Sequence, residues 1–466
     1  MQKSKTAQEK ISFIVTLAVL VLLVFTKVLL CPLGDLDELW NYNLCRGVSL
    51  GYVPYRDFGM VMMPLFTVLL SLPLHISRTL LMYRLSSALL LTASLVLYYH
   101  IASRETTRAV GRLLALVPAF LMNIVTYNDI MFMCVMVVYI LLAKPLNIKR
   151  SVIIGAVCAL GILSRQTTGV FLMIAVLLIV IVDTASRKYI LQVVAGAASV
   201  LAIFGGLLII TGSFADFWDC CLFALIGSSH NSSVGSDIMP FAILIVLGCV
   251  ADVVLWRKGR GKTDLYHLIL GAILLTVAIP IADDLHIISS WCWFVIPIAK
   301  LISVYVVKNV KEYIVTLVSS LAAGAILFLN VYGAFGTVTD DHYAEFVGIP
   351  MYDGYIDGFA VIDGANHDFE AEGKNVVVLS SRACIFSIMS ERFNPPFDLF
   401  LTGNLGTKDP LSIVAEVCSQ DDVIILMPDN YREENWENPE GVYQYVIDNC
   451  TEIARYGSFA WYSPVK

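Results

Sequence analysis

The sequence predicts an α-helical polytopic membrane protein, with about eleven transmembrane helices, an outer juxtamembrane helix and a small C-terminal α/β extracytoplasmic domain. Three observations carry this. The chain of 466 residues is 58% hydrophobic and only 15% charged, with a mean hydropathy of +0.76, too apolar for a soluble protein. Apolar runs with short polar connections continue to about Leu329, and ordinary globular sequence follows from about Thr337. Basic residues recur in alternate connections, as cytoplasmic loops require. The division gives a membrane domain over 1–335, with a first outer loop at 31–79, and a soluble extracytoplasmic domain over 336–466. The net charge of −7 argues against nucleic acid and says little else; the apolar runs make the lipid bilayer a partner.

The run Ile11 to Leu30 is long enough to cross a bilayer, which needs roughly 20 apolar residues. It is too long for a signal-peptide core and no small-residue cleavage site follows, so it reads as a retained helix. Lys3, Lys5 and Lys10 place the N-terminus in the cytoplasm. Further inner loops are marked by Arg104, Arg108 and Arg112, by Lys144, Lys149 and Arg150, by Arg187 and Lys188, by "WRKGRGK" (256–262), and by Lys308 and Lys311. Acidic or neutral connections at 31–59, 123–129, 212–237 and 282–289 alternate with them. The chain is thus expected in the plasma membrane with its C-terminal domain outside.

Residues 60–76, "MVMMPLFTVLLSLPLHI", break the alternation. They are apolar enough to span, but spanning would invert every later loop. Pro64, Pro73 and His75 are poor contents for a clean span, so the segment is expected to lie along the outer surface. Spans are then expected near 11–30, 80–102, 109–124, 127–143, 150–164, 168–184, 190–211, 238–256, 265–282, 289–306 and 312–333. One helix over 150–184 would run to about 50 Å, too long for the bilayer, so two short helices should meet at Arg165.

In the tail, "NVVVLSS" (375–381) and "DDVIILMPD" (421–429) read as buried strands, with helices at "AEVCS" and "GVYQYVIDNC". The eleven cysteines are scattered without a CxxC or Cys/His cluster, so no zinc site is expected. Cys134, Cys158 and Cys249 lie in apolar runs and read as packing residues. The sequence leaves open a disulfide among Cys384, Cys418 and Cys450.

The polar residues of the expected outer side come from distant places. The first outer loop, opening "GDLDELWNYN" (34–43), holds Asp35, Asp37 and Glu38, then Arg56 and Asp57 in "GYVPYRDF" (51–58). Arg84 opens the next span. Asn128 and Asp129, Arg165 and Gln166, and Asp283, Asp284 and His286 stand at three later helix ends. Each has an ordinary explanation alone: a solvated loop, a helix cap, an interfacial snorkeller. Trp291 and Trp293 read as an aromatic belt. Together, acids beside basic groups at membrane depth suggest a cavity for a phosphate-bearing substrate, where a proton is also moved.

The stretch "DELWNYNLCRGVSLGYVPYRDFGMVMMPL" (37–65) resembles the first outer loop of the C-type (GT-C) membrane glycosyltransferases, which include the protein O-mannosyltransferases and the lipid A aminoarabinose transferases. That family shows an Asp-Glu pair after the first span, a "PYRDF"-like turn and a proline-marked juxtamembrane helix. "MYRLSSALLLTASLVLYY" (82–99) is similar to its Arg-led second span, and "GILSRQTTG" to its "lTKqtG" segment, with Arg165 where lysine is common. The sharp motifs are confined to about 37–65 and 161–169. The chain departs from the family in having "MMP" where paired prolines are common, and Asn128-Asp129 in place of an Asp-x-Asp. A divalent cation therefore has no clear ligand set, and no cofactor is assigned.

The resemblance implies transfer of a sugar from a polyprenyl-phosphate donor to an acceptor hydroxyl, with inversion. Asp37 would be the base, and Glu38 would position donor or acceptor. Arg165, Arg84 and His286 would face the leaving phosphate, and Arg56, Asp57, Asn128, Asp129 and Gln166 would line the site. The sugar and the acceptor, whether glycan, lipid or protein, stay open. The alternative reading is a transporter or flippase of lipid-linked sugars, which also needs ionisable groups at a cavity. Transporters often show internal repeats with broken helices at the midplane, whereas here the ionisable residues gather at one face.

Overall fold

A computed structural model of the chain describes residues 2–34, 36–123, 125–224, 233–234, 238–259, 261–279, 281–282, 284–303, 312–339, 342–380, 382–390, 393, 404–429 and 441–465. Its residues fall into two compact units. One contains 1–31, 84–204 and 232–335; the other contains 32–83, 205–231 and 336–466. The residues of the first loop thus cluster with the C-terminal residues.

The first unit is helical. Helices occupy Gln2–Leu30, Leu80–Glu105, Arg108–Leu121, Tyr127–Leu142, Ile148–Ser164, Gln166–Val182, Ile190–Thr211, Met239–Gly259, Lys262–Leu275, Asp284–Leu301 and Glu312–Gly333, some running on into the second unit. Each run expected to span therefore contains a helix. By length and composition, five of the described helices can cross a membrane alone: Lys10–Leu30, Leu80–Glu105, Arg187–Thr211, Met239–Gly259 and Glu312–Gly333. That is fewer than the eleven expected. The others are shorter: Tyr127–Leu142 has 16 residues and Lys262–Leu275 has 14. Thr126 and Asn147 start helices with side-chain caps, and Pro118 lies near the end of Arg108–Leu121. The exposed side chains of Val182, Ile203 and Ile210 are suited to hydrocarbon, and the chain reads as a multi-pass membrane protein.

Small residues bring these helices together, because without a hydrophobic drive between helices in lipid, close packing holds the bundle. A Cβ at Gly155 would collide with the carbonyl of Val193, and one at Gly196 with the carbonyl of Val152. The two glycines thus let Ile148–Ser164 and Ile190–Thr211 touch through their backbones. Gly248 and Gly271 make room in the same way for Phe294 and Trp293. Trp293 is fully buried, which corrects its expected place in an aromatic belt. It stacks on His267 at 4.3 Å and donates from Nε1 to the His267 carbonyl at 2.9 Å.

In the second unit, the apolar run after Pro64 forms a helix over only Leu65–Leu74. At about 15 Å it is too short to cross a bilayer. The tail forms a four-stranded sheet in the order Asn375–Val378, Val423–Pro428, Phe459–Pro464, Cys450–Tyr456. The first pair is parallel and the others antiparallel. Both faces are covered, which explains why its strands read as continuous apolar runs. Val377, Val423, Ile425 and Tyr462 pack with Val414 and Val446; Val376, Ile424, Leu426 and Trp461 pack with Ile362 and Phe386. Cys418 and Cys450 bring their sulfurs to 3.6 Å, and both are free thiols.

Gly155→Ala should destabilise the helix pair by about 1–3 kcal/mol, the usual cost of overpacking. Gly205→Ala, with nothing within 4 Å of its added methyl, should not. Thermal unfolding of the purified protein in detergent reads the difference, and equal midpoints for the two variants would contradict the backbone contact.

Candidate functional site

The sequence-predicted residues divide between the two units. In the second unit, Asp37 and Glu38 lie in the first turn of the helix Leu36–Ser49, where carboxylates oppose the helix dipole favourably. Their environments differ. Glu38 is 3% exposed, whereas Asp37 is exposed. Capping accounts for an exposed acid at a helix start but not for a buried one, because burying a carboxylate is costly without compensation. Asp35 lies outside the described residues.

The helix that carries the two acids is fixed along its length. Arg46, 1% exposed, donates from Nη1 to the Ser387 carbonyl at 3.3 Å and approaches Glu345 at 3.9 Å. The Ser387 hydroxyl lies 3.3 Å from Asn43 Oδ1. Tyr42 donates to the carbonyl of Arg78. Sequence reasoning assigned Arg46 no role; the one basic residue of a helix whose two acids both stand in its first turn was the available signal. Leu33 N–H also donates to the Pro350 carbonyl at 2.7 Å, just before the acids.

The "PYRDF" turn is built around itself. Arg56 and Asp57 form a two-pronged pair, Nε to Oδ1 at 2.7 Å and Nη2 to Oδ2 at 2.8 Å. Asp57 Oδ2 also accepts from Val53 N–H at 2.7 Å, and Arg56 Nη1 donates to the Thr211 carbonyl at 3.2 Å. The Arg56 guanidinium holds the Asp57 carboxyl below its ordinary value. Both side chains thus shape the turn. Tyr55 has φ +72°, the single non-glycine in the left-handed region among the described residues. Such a conformation costs about 1–3 kcal/mol and persists only where the surroundings impose it. Here Tyr55 donates its hydroxyl to the Met62 carbonyl at 2.8 Å and sets its ring edge-on to Phe217.

In the first unit, Arg165 and Asn128 come together. Arg165 is the one residue between Ile148–Ser164 and Gln166–Val182, in extended conformation. A Cβ at Gly169 would strike the backbone of Gly161 and Ile162, so this glycine permits the tight reversal at "SRQTTG". Gln166 begins the second helix. Arg165 is 8% exposed. It donates from Nη1 to Asn128 Oδ1 at 2.6 Å and from Nη2 to the Ile279 carbonyl at 3.0 Å and to the Val277 carbonyl. It also lies over the Tyr127 ring. These contacts fix the orientation of the guanidinium.

Asp129 has a different task. Its Oδ2 accepts from Thr126 N–H at 2.7 Å and from the Thr126 hydroxyl at 3.1 Å, while Thr126 Oγ1 accepts from Asn128 N–H at 3.2 Å. This is a capping box. Arg84, 1% exposed, donates to the Cys31 carbonyl at 2.6 Å, so it ties the end of the first helix to the start of the next. His286 is half-buried in Asp284–Leu301; Asp283 and the side chain of Asp284 lie outside the described residues.

A buried pair that sequence reasoning missed lies elsewhere in this unit. His267 Nδ1 is 2.8 Å from Asp252 Oδ2, both at most 3% exposed. Among the described residues no group of three or more His, Cys, Asp and Glu side chains is placed to hold a metal ion.

No protein-family model matches the chain, and no curated protein matches it in sequence. Solved structures do. ArnT from Cupriavidus metallidurans bound to undecaprenyl phosphate is similar over 96% of this chain and 97% of its own, at 10% identity and a TM-score of 0.57. The oligosaccharyltransferase of Archaeoglobus fulgidus in the apo form is similar over 89% of this chain and 69% of its own, at 12% identity and a TM-score of 0.54. The same enzyme, tethered through a disulfide to an acceptor peptide containing the NVT sequon, matches with a TM-score of 0.50 at 12% identity, over the same 89% and 69%. The chain has the fold of the C-type membrane glycosyltransferases.

Asp129→Ala should remove the capping box and cost about 1 kcal/mol, read as a lower thermal midpoint of the purified protein. An unchanged midpoint would contradict the assignment of Asp129 to helix capping.

Proposed function

We propose that the chain moves a sugar from a polyprenyl-phosphate donor to an acceptor hydroxyl at the outer face of the plasma membrane, inverting the anomeric centre. The observation that supports this most is the pair Asp37 and Glu38. It places an exposed and a buried carboxylate side by side on an anchored loop helix, in a fold shared with ArnT bound to undecaprenyl phosphate. The N-terminus is cytoplasmic and the C-terminal domain extracytoplasmic in this reading, following the basic loops.

The reaction is one displacement. The acceptor oxygen forms a bond to the anomeric carbon as the bond from that carbon to the phosphate oxygen breaks. The transition state is oxocarbenium-like, as in glycoside hydrolysis. The acceptor's proton passes to Asp37, whose exposure leaves it open to an incoming hydroxyl. Glu38, held in the protein, positions donor or acceptor. The lipid phosphate departs as an anion and needs a cation but no proton. Arg165 serves it, since the fork of a guanidinium donates two parallel hydrogen bonds to phosphate, and Asn128 aims that fork. His286 is the second candidate. Arg84 acts at a distance, as a positioning residue that fixes the point where the loop leaves the first helix. Arg56 and Asp57 likewise act by shaping the turn.

Asp37→Asn keeps the shape and removes the base, so transfer should fall by roughly 10²–10⁴-fold. Glu38→Gln should lose less, and Asp35→Asn least. Arg165→Ala should lose about ten- to hundredfold, since a hydrogen bond to a charged group is worth roughly 1.5–3 kcal/mol, and Arg165→Lys should recover part of it. The assay adds purified variants to membranes from cells lacking the chain, which supply donor and acceptor. Wild-type transfer by a folded Asp37→Asn protein would overturn the base assignment, and wild-type transfer by Arg165→Ala the phosphate assignment.

A further inference from the structure

Two adjoining cavities in the first unit are lined by none of the residues assigned to sugar transfer. One is an apolar groove of about 690 Å³ between Gln166–Val182 and Lys262–Leu275. Phe171, Ile174, Leu178 and Val182 line one wall at helical spacing, and Ile269 and Ile273 the other. All four of the first wall are well exposed, Val182 to 79%. The groove runs from residue 171 to 182 along its helix, about 17 Å at the rise of an α-helix. That is close to half the roughly 30 Å hydrocarbon core, the depth of one leaflet.

The second cavity, of about 360 Å³, is polar and caps one end of the groove. Ile179, Asp183, Lys262 and Tyr266 line both. Lys144, Lys188 and Lys262 line the polar cavity with a single carboxylate, Asp183. Lys262 Nζ lies 2.8 Å from Asp183 Oδ1, and the Ser186 hydroxyl donates to Asp183 Oδ2 at 2.6 Å. Asp183 is thus satisfied within the cavity. Lys144 and Lys188 form no ion pair among the described residues, and Lys188 lies over the Tyr189 ring. A cationic pocket continuous with an apolar trough of one-leaflet depth matches an amphiphile with a negative head and a hydrocarbon tail.

We propose that this pocket and groove bind one diacyl phospholipid with an anionic headgroup, its charge between Lys144 and Lys188 and one acyl chain in the groove. The orientation proposed above puts the site in the cytoplasmic leaflet, at the opposite face from transfer; the binding itself needs no assumption about catalysis.

The test is native mass spectrometry of delipidated full-length protein. It is titrated in turn with dioleoyl phosphatidylglycerol, dioleoyl phosphatidylcholine and undecaprenyl phosphate. Phosphatidylglycerol should bind more tightly than phosphatidylcholine. The double variant Lys144→Gln, Lys188→Gln should weaken phosphatidylglycerol by roughly fivefold for each lysine, about 25-fold in all, the scale expected of a basic residue beside an anionic lipid. Lys149→Gln, an exposed lysine outside the pocket, should change nothing. Ile174→Trp, which fills the groove without touching the lysines, should weaken both phospholipids. Equal binding of the two phospholipids, or indifference to the double lysine variant, would overturn the proposal. So would displacement of phosphatidylglycerol from the lysine-dependent site by an equal amount of undecaprenyl phosphate.

Discussion

A guanidinium buried among apolar helices must find oxygen acceptors, because its burial is otherwise costly. Those described for Arg165 stand where regular helices begin or end. Its own backbone is extended between two helices, and it donates to an amide in the first turn of Tyr127–Leu142 and to two carbonyls at 277 and 279, in and just after the 3-10 turn Thr276–Ala278 that follows Lys262–Leu275. Three breaks in regular structure therefore converge on one side chain. Ser164 adds a bond from its hydroxyl to the Tyr127 carbonyl at 2.6 Å, and Gly169 allows the reversal. The capping box at Thr126 and Asp129 sets where Asn128 stands. What reads in sequence as a run of short, interrupted spans is the arrangement that one buried cation requires.

The second unit solves a different problem. Its first helix exposes one carboxylate, Asp37, and buries the next, Glu38, so the helix has to be held in place. The helix Leu36–Ser49 is bound through Arg46, Asn43 and Tyr42, and Gly47 faces the ring of Phe393, which also packs on Tyr52 and Phe58. Beyond it, the turn at Tyr55 is held in a strained conformation by bonds within the loop. Asn404 accepts from Val61 N–H at 2.9 Å, and Thr407 donates twice to Asp219. Contacts along its length hold the segment, which suits the role proposed for Asp37 and Glu38.

Much of the helical architecture was legible because apolar periodicity and loop charge are read directly from residue type. The break at Arg165 followed from length alone, and the shortness of the segment after Pro64 from its prolines. The number of helices able to span alone was less legible, because hydropathy marks a run as apolar without fixing whether its helix is long enough: Tyr127–Leu142 has 16 residues and Ile148–Ser164 has 17. Roles within the site were legible only in part. Asp57 and Arg56 are adjacent in sequence, and nothing in the string says that they bind each other. Asp129 was legible as an acid at a helix start, but its bonds to Thr126, three residues earlier, were not drawn from the sequence. Trp293 could sit at an interface or in a core by composition, and only the room left by Gly271 decides. Asp252 and His267 lie on two helices joined by a short reversal, so their pairing is a property of helix phase that the sequence hints at only through two ionisable residues in apolar surroundings.

The central claim is that a lipid-linked sugar is cleaved here rather than carried. Purified protein reconstituted in vesicles with polyprenyl-phosphate sugar and a hydroxyl acceptor extract allows it to be followed by mass spectrometry of both lipid and glycan. The account predicts that polyprenyl phosphate is released in equal amount to new glycoside, with the anomeric configuration of the donor inverted. Movement of intact polyprenyl-phosphate sugar from one leaflet to the other, with no polyprenyl phosphate released, would contradict it.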